Sequence, residues 1–126
     1  MKVLITGNMG YIGSVLIKYL REKYHGLCIN GFDAGYFGHC LTNASRIPES
    51  RVDIQYMGDI RQFPGDILDG IDVVIHLAAI SNDPIGSRFE AVTQSINISA
   101  SRKLVAEAKK RGVGHFIFAS SCSLYG

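Results

Sequence analysis

Two observations predict an α/β chain with a doubly wound, mainly parallel sheet. Short runs rich in β-branched and aromatic residues recur at 2–6, 27–32, 52–57, 72–77 and 115–119, separated by helical or loop-like stretches. A glycine triplet, Gly7, Gly10 and Gly13, marks the first passage from strand to helix. Right-handed crossovers between the runs give the strand order 3-2-1-4-5. The full arrangement of this class has six strands, so the sheet reads as cut short.

Lys2–Thr6 is a β-branched run with the character of a buried strand. From Ile12 the apolar positions 12, 15, 16, 19 and 20 follow helical spacing, with Lys18, Arg21 and Lys23 on the other side. That stripe places Tyr19 in the core, and the helix should end near His25-Gly26. Leu27–Phe32 is the second strand, stopped by Asp33-Ala34-Gly35. Residues 35–50 have no clear period and read as a loop with one helical turn. Val52–Met57 forms a third strand before Gly58-Asp59, and Asp72–Leu77 a fourth. Ser87–Arg111 carries apolar residues at 89, 92, 96, 100, 104 and 108, the pattern of a long amphipathic helix. His115–Ala119 is the fifth strand, and Ser120–Gly126 a polar turn.

Composition agrees with one core-bearing domain over residues 1–126. Hydrophobic residues make up 47% and charged residues 19%, with a mean hydropathy of +0.14, too apolar for a disordered tail. A net charge of +2 with no Lys/Arg stripe excludes an electrostatic footprint for nucleic acid. The apolar stretch 71–80 is broken by Asp72 and His76 and is too short to cross a bilayer. No secretory leader is evident. The three cysteines form no CxxC pair and read as free thiols, which places the protein in the cytoplasm. Asp66, Asp69 and Asp72 find no His or Cys to complete a coordination set, so no metal site is expected.

The chemistry starts at Thr6-Gly7-Asn8-Met9-Gly10-Tyr11-Ile12-Gly13. Gly7 permits a tight turn, Gly10 lets backbone approach a pyrophosphate, and Gly13 lets the helix lie close to the sheet. The helix N-terminus then offers free N–H groups to the phosphates. The spacing GxxGxxG is one residue longer than the usual dinucleotide fingerprint. Asp33 lies 20 residues beyond Gly13, at the end of the second strand. A carboxylate there accepts from the adenosine ribose hydroxyls and repels a 2′-phosphate, favouring NAD over NADP.

These residues resemble the N-terminal part of the extended short-chain dehydrogenases/reductases, in the NAD-dependent nucleotide-sugar epimerase/dehydratase group. The likeness is carried by TGNMGYIGS at 6–14, GFDAGYFG at 31–38, GDIR at 58–61, HLAAISNDP at 76–84, the Ile-Asn of 96–97 and FASSCSLYG at 118–126. Asn8 and Met9 stand where small residues are common. The resemblance implies a Rossmann fold in which Tyr11 and Ile12 present backbone N–H groups to the pyrophosphate. It implies that Asp33, with Ala34 beside it, holds the adenosine ribose and that Asp59 and Ile60 bracket the adenine. Leu77, Ala78 and Ala79, with Ser81 nearby, would line the ribose and nicotinamide side. Asn97 would brace the sheet beside the cofactor, and Ser121 matches the Ser/Thr that hydrogen-bonds the reacting sugar oxygen.

The family's base is a Tyr four residues before a Lys on the helix after the fifth strand. Tyr125 belongs to the terminal turn, and Tyr19–Lys23, the YxxxK string present, lies on the first helix. The resemblance therefore implies a cofactor half-site with one catalytic residue. The catalytic helix, later strands and nucleotide-sugar domain fall outside it, and the chain alone is expected not to turn over substrate. It also implies a homodimer or other self-association, through the long helix and the uncovered apolar face at Phe116 and Phe118. Two other readings remain open on the residues: a non-catalytic dinucleotide-binding or sensing module, and a degenerate gene product.

Overall fold

Strand β1 (Lys2–Thr6) is buried on both sides, as expected of the middle strand of a parallel sheet covered on two faces. Val3 and Ile5 point to one face, Leu4 and Thr6 to the other. The computed structural model describes residues 1–36, 48–81 and 89–120, and the elements below lie within them. β1 leads through the glycine turn into α1 (Tyr11–Lys23) and then β2 (Cys28–Asp33). A 3-10 turn at Pro48–Arg51 precedes β3 (Ile54–Met57), and further 3-10 turns at Ile60–Gln62 and Gly65–Leu68 lead to β4 (Val73–His76). The second helical stretch comprises α2 (Glu90–Gln94), a π-helical turn (Ser95–Ala100) and α3 (Ser101–Lys110), followed by β5 (His115–Phe118).

The five strands are parallel in the order β3-β2-β1-β4-β5, the arrangement expected from the sequence. Thr6 registers with Phe32 on one side and His76 on the other, which aligns the strand ends that carry the candidate residues. On one face Val3, Ile5, Ile29 and Val73 meet Ile17 of α1, with Leu16 and Leu20 against them. On the other, Leu4, Phe32 and Val74 meet Ile60, Leu68, Ala100, Leu104 and Ala108. Phe116 packs at the margin of that second core, whereas Phe118 is 54% exposed.

Three local expectations are corrected. The inward row of α1 is Gly13 and Ile17, flanked by Leu16 and Leu20, while Ile12, Val15 and Tyr19 are exposed. A Cβ at Gly13 would stand 2.6 Å from Asn8 Cα, so Gly13 seats the start of the helix against the preceding turn, and Ile17 rather than Tyr19 faces the sheet. Tyr19 is thus a surface residue whose hydroxyl accepts from Lys23 Nζ at 2.7 Å. The long helix is not uniform either, since a π-helical turn interrupts it where regular apolar spacing predicts an unbroken α-helix. The third strand begins two residues later than expected, at Ile54. Residues 37–47 of the expected loop, Ser87 and Arg88 at the start of the long helix, and most of the terminal turn lie outside the described residues.

The second core contains a buried imidazole. His76 is 1% exposed and lies between Thr6, Ser101 and the rings of Phe116 and Phe118. Burial pushes its pKa from 6.5 down to about 4, and no neighbouring charge contributes to the shift. The unfolded chain takes up this proton below about pH 6.5 and the folded chain does not until about pH 4. Stability conferred by the neutral ring is therefore complete above pH 6.5 and is lost as pH falls through that window. At about 1.4 kcal/mol per pH unit the loss amounts to roughly 3 kcal/mol. Urea unfolding at pH 7 and pH 4.5 should show wild type losing about 2–3 kcal/mol more than His76→Gln. Parallel losses in the two proteins would contradict this assignment.

Candidate functional site

All five strands end at the same edge of the sheet, and that edge gathers the glycine turn, Asp33, Asp59 and the segment after β4. Open parallel sheets bind ligands in the crevice outside the carboxyl ends of their strands, where strand order reverses. Here the reversal falls between β1 and β4.

Gly7 has φ +75, a conformation side chains disfavour, and a Cβ on it would stand 2.6 Å from Ala78 N. The turn and the segment after β4 therefore touch through backbone alone. Gly7 N donates to Phe32 O at 2.8 Å, and Gly10 N to Gly7 O at 3.2 Å. Gly10 caps α1 without a side-chain acceptor, and the helix's first turn carries no acidic residue. Its first N–H groups and positive dipole end are thus met by no capping side chain and no acidic residue of the helix itself. Tyr11 and Ile12, at that end, have exposed side chains.

The two residues that depart from the small-residue turn are both buried. Asn8 is 0% exposed and lies over Gly31, where a Cβ would stand 2.5 Å from Asn8 Nδ2. Its amide exchanges hydrogen bonds with Gln55 of β3, Nδ2 donating at 2.6 Å and Oδ1 accepting at 3.2 Å. Position 8 therefore fills space that Gly31 vacates. Met9 is 7% exposed, and its N–H donates to Asp33 Oδ2 at 2.9 Å.

Asp33 Oδ1 also accepts from Gly35 N, at 2.7 Å. Each carboxylate oxygen is held by one backbone N–H and keeps lone pairs for a further donor. The side chain is half-buried at the mouth of the glycine turn, with Ala34 exposed beside it. Gly58 N donates to Asp33 O at 2.9 Å, which brings the end of β3 alongside. There Asp59 caps the next turn by accepting from Arg61 N at 2.9 Å and pairs with the Arg61 guanidinium. That guanidinium, first, holds the Asp59 carboxyl below the usual carboxylate range, against the opposing effect of burial. Ile60 is a core side chain at 8% exposure.

After β4, Leu77 and Ala78 are half-buried and Ala79 and Ser81 exposed. Asn97, in the π-helical turn, brackets Ile80: its Oδ1 accepts from Ile80 N at 2.9 Å and its Nδ2 donates to Ile80 O at 2.8 Å. Four residues on, Ser101 Oγ lies 2.8 Å from His76 Nε2, and His76 Nδ1 lies 2.6 Å from Thr6 Oγ1. Gly7, Gly10, Gly13 and Ala78 thus pack directly together, Asp33 joins them through Met9 N, and Asp59 and Asn97 flank them. Ser121 lies outside the described residues.

Sequence reasoning missed two groups, Asn8–Gly31–Gln55 and Thr6–His76–Ser101. The signal for the first was an unexpected Asn among glycines, paired with a glycine interrupting a strand. The second was signalled by a histidine inside an apolar run. Among the described residues, no three His, Cys, Asp or Glu side chains form a group that could hold a metal. No helix among them is long and apolar enough to cross a membrane.

Comparison with known proteins gives the same picture. An uncharacterized UDP-glucose epimerase of Bacillus subtilis, YtcB, is 33% identical over the whole chain, which covers 42% of that protein. A UDP-glucose 4-epimerase of Erwinia amylovora is 31% identical, again over the whole chain and 38% of its own length. The crystal structure of UDP-glucose-4-epimerase from Stenotrophomonas maltophila, with bound NAD and formylated UDP-arabinopyranose, superposes with a TM-score of 0.81 at 29% identity. It too is matched over the whole of this chain and 38% of its own. The chain thus spans about two fifths of the length of these relatives. The model of the NAD dependent epimerase/dehydratase family matches residues 3–126, and the chain belongs to that family.

Proposed function

We propose that residues 1–126 form the NAD-binding part of a nucleotide-sugar epimerase or dehydratase, with NAD preferred over NADP. The observation that carries the reading is Asp33, held by Met9 N and Gly35 N at the rim of a glycine turn whose Cβ positions are closed by backbone. A ligand meeting that turn needs an anionic middle for the end of α1 and hydroxyl donors for the carboxylate. A dinucleotide with an unmodified adenosine ribose has both. A 2′-phosphate would meet the Asp33 charge. Family membership and the NAD and UDP-sugar of the Stenotrophomonas neighbour support the same ligand class.

When bound, NAD would supply reversible hydride acceptance from the sugar ring, the hydroxyl proton of the oxidised carbon passing to a base in the whole-length protein. The chain's own residues would bind and orient. The N–H groups of Tyr11 and Ile12, with Gly7, Gly10 and Gly13 clearing the way, would take the pyrophosphate. Asp33 and Ala34 would seat the adenosine ribose, Asp59 and Ile60 the adenine. Leu77, Ala78, Ala79 and Ser81 would line the nicotinamide side, which Asn97 steadies by fixing Ile80. Ser121 would hydrogen-bond the sugar oxygen at the reacting carbon. Turnover, substrate choice and dimerisation are assigned to the whole-length protein.

Calorimetric titration checks the cofactor assignment. NAD should bind at least about 10-fold more tightly than NADP, and Asp33→Ala should weaken NAD by about 10- to 100-fold, as expected for a charge-assisted hydrogen bond pair. Tighter NADP binding would contradict the role of Asp33. Incubated with NAD and UDP-glucose, the 126-residue chain should leave the sugar unchanged by NMR. An epimer appearing in that mixture would overturn the assignment of turnover to the longer protein.

A further inference from the structure

We propose that His76 is a positioning residue for the dinucleotide site. Its ring, held between Thr6 and Ser101, keeps the glycine turn, the segment after β4 and the Asn97 helix in their binding arrangement. The inference rests on the NAD reading given above. Each partner of the ring is one step from a cofactor-facing segment. Thr6 immediately precedes Gly7, and its O accepts from Leu77 N at 2.9 Å. His76 immediately precedes Leu77 and Ala78, against which Gly7 is pressed. Ser101 follows Asn97 by four residues, and Ile80 follows His76 by four. Two rungs, His76–Ser101 and Ile80–Asn97, therefore tie the strand end to the helix. The π-helical turn, a form that recurs at functional sites, holds Asn97 and ends just before Ser101.

The chemistry of the three groups suits registration better than packing. A neutral imidazole has one donor and one acceptor, and a hydroxyl can meet either, so the chain closes in both tautomers without a charge. Phe116 and Phe118, with ring centroids 6.0 and 5.7 Å from the imidazole, cover it. A leucine would fill this apolar surround without needing partners. Three buried polar side chains at 0–8% exposure instead accept one geometry and reject displaced ones, because a shift would leave a hydroxyl or ring nitrogen unpaired.

The test separates position from stability. NAD affinity is measured on the full chain by calorimetry, at a temperature where near-UV circular dichroism shows each variant folded. Thr6→Val removes the hydroxyl at constant shape, Thr6→Ser keeps it, and Ser101→Ala cuts the other arm. Thr6→Val and Ser101→Ala should each weaken NAD by about 5- to 10-fold, with Thr6→Ser within about 2-fold of wild type, the scale of one lost buried hydrogen bond. The double variant should lose less than the product, because both arms act through one ring. Should Thr6→Val fail to fold, Ser101→Ala alone carries the test. If Ser101→Ala and Thr6→Val bind NAD as wild type does and only their unfolding midpoints fall, His76 is merely structural. Asp33→Ala is the control: loss of NAD there, beside unchanged Ser101→Ala, removes the positioning role and leaves the NAD reading intact. Absence of NAD binding by wild type overturns both.

Discussion

The carboxyl edge of the sheet depends on one steric constraint, the closeness of three backbone segments at the glycine turn. Gly7 is pressed against Ala78, and Gly13 against Asn8, at separations where a Cβ could not stand. That contact brings the ends of β1 and β4 and the start of α1 into one corner. It also sets the N-terminus of α1 directly after the end of β1, one of the two strands between which the order reverses. Replacing either glycine by a larger residue would push these parts separately, since the opposing atoms are backbone and cannot rotate away.

Around this corner the structure spends polar groups where a core would ordinarily be apolar. Asn8 and Gln55 close the gap above Gly31, Met9 N and Gly35 N fix Asp33, and the imidazole of His76 bridges Thr6 and Ser101. Buried polar groups weaken a fold when they miss a partner and specify it when all are met. In these three groups the side chains meet each other or backbone. The result is an edge whose loops are held by directional bonds, as the proposed dinucleotide site would require. Asp59 is held within its own turn, accepting from Arg61 N and pairing with the partly exposed Arg61 guanidinium, a pair that adds little stability.

Much of this was legible from residue pattern. Each strand is marked by its own β-branched or aromatic run, and strand order follows from crossover handedness once helices separate the runs. The glycine spacing and Asp33 pointed to residues that the fold gathers in one corner. What failed was finer. Apolar spacing alone put Tyr19, Ile12 and Val15 inward, because periodicity does not register that a glycine permits closer approach than an isoleucine. The π-helical turn around Asn97 leaves no mark in the apolar spacing of residues 89–108. In the sequence His76 does no more than interrupt an apolar run. Its role depends on which face of β4 it occupies and on a serine 25 residues away, a tertiary fact.

On the proposed reading, the corner formed by the glycine turn and Asp33 receives a dinucleotide. A crystal structure of the chain grown with NAD tests it most directly. The expected density places the pyrophosphate over the N-terminus of α1, within hydrogen-bond distance of Tyr11 and Ile12 N–H, and the adenosine ribose hydroxyls on Asp33. Dinucleotide bound elsewhere, with the Asp33 carboxylate still holding only Met9 N and Gly35 N, would contradict it.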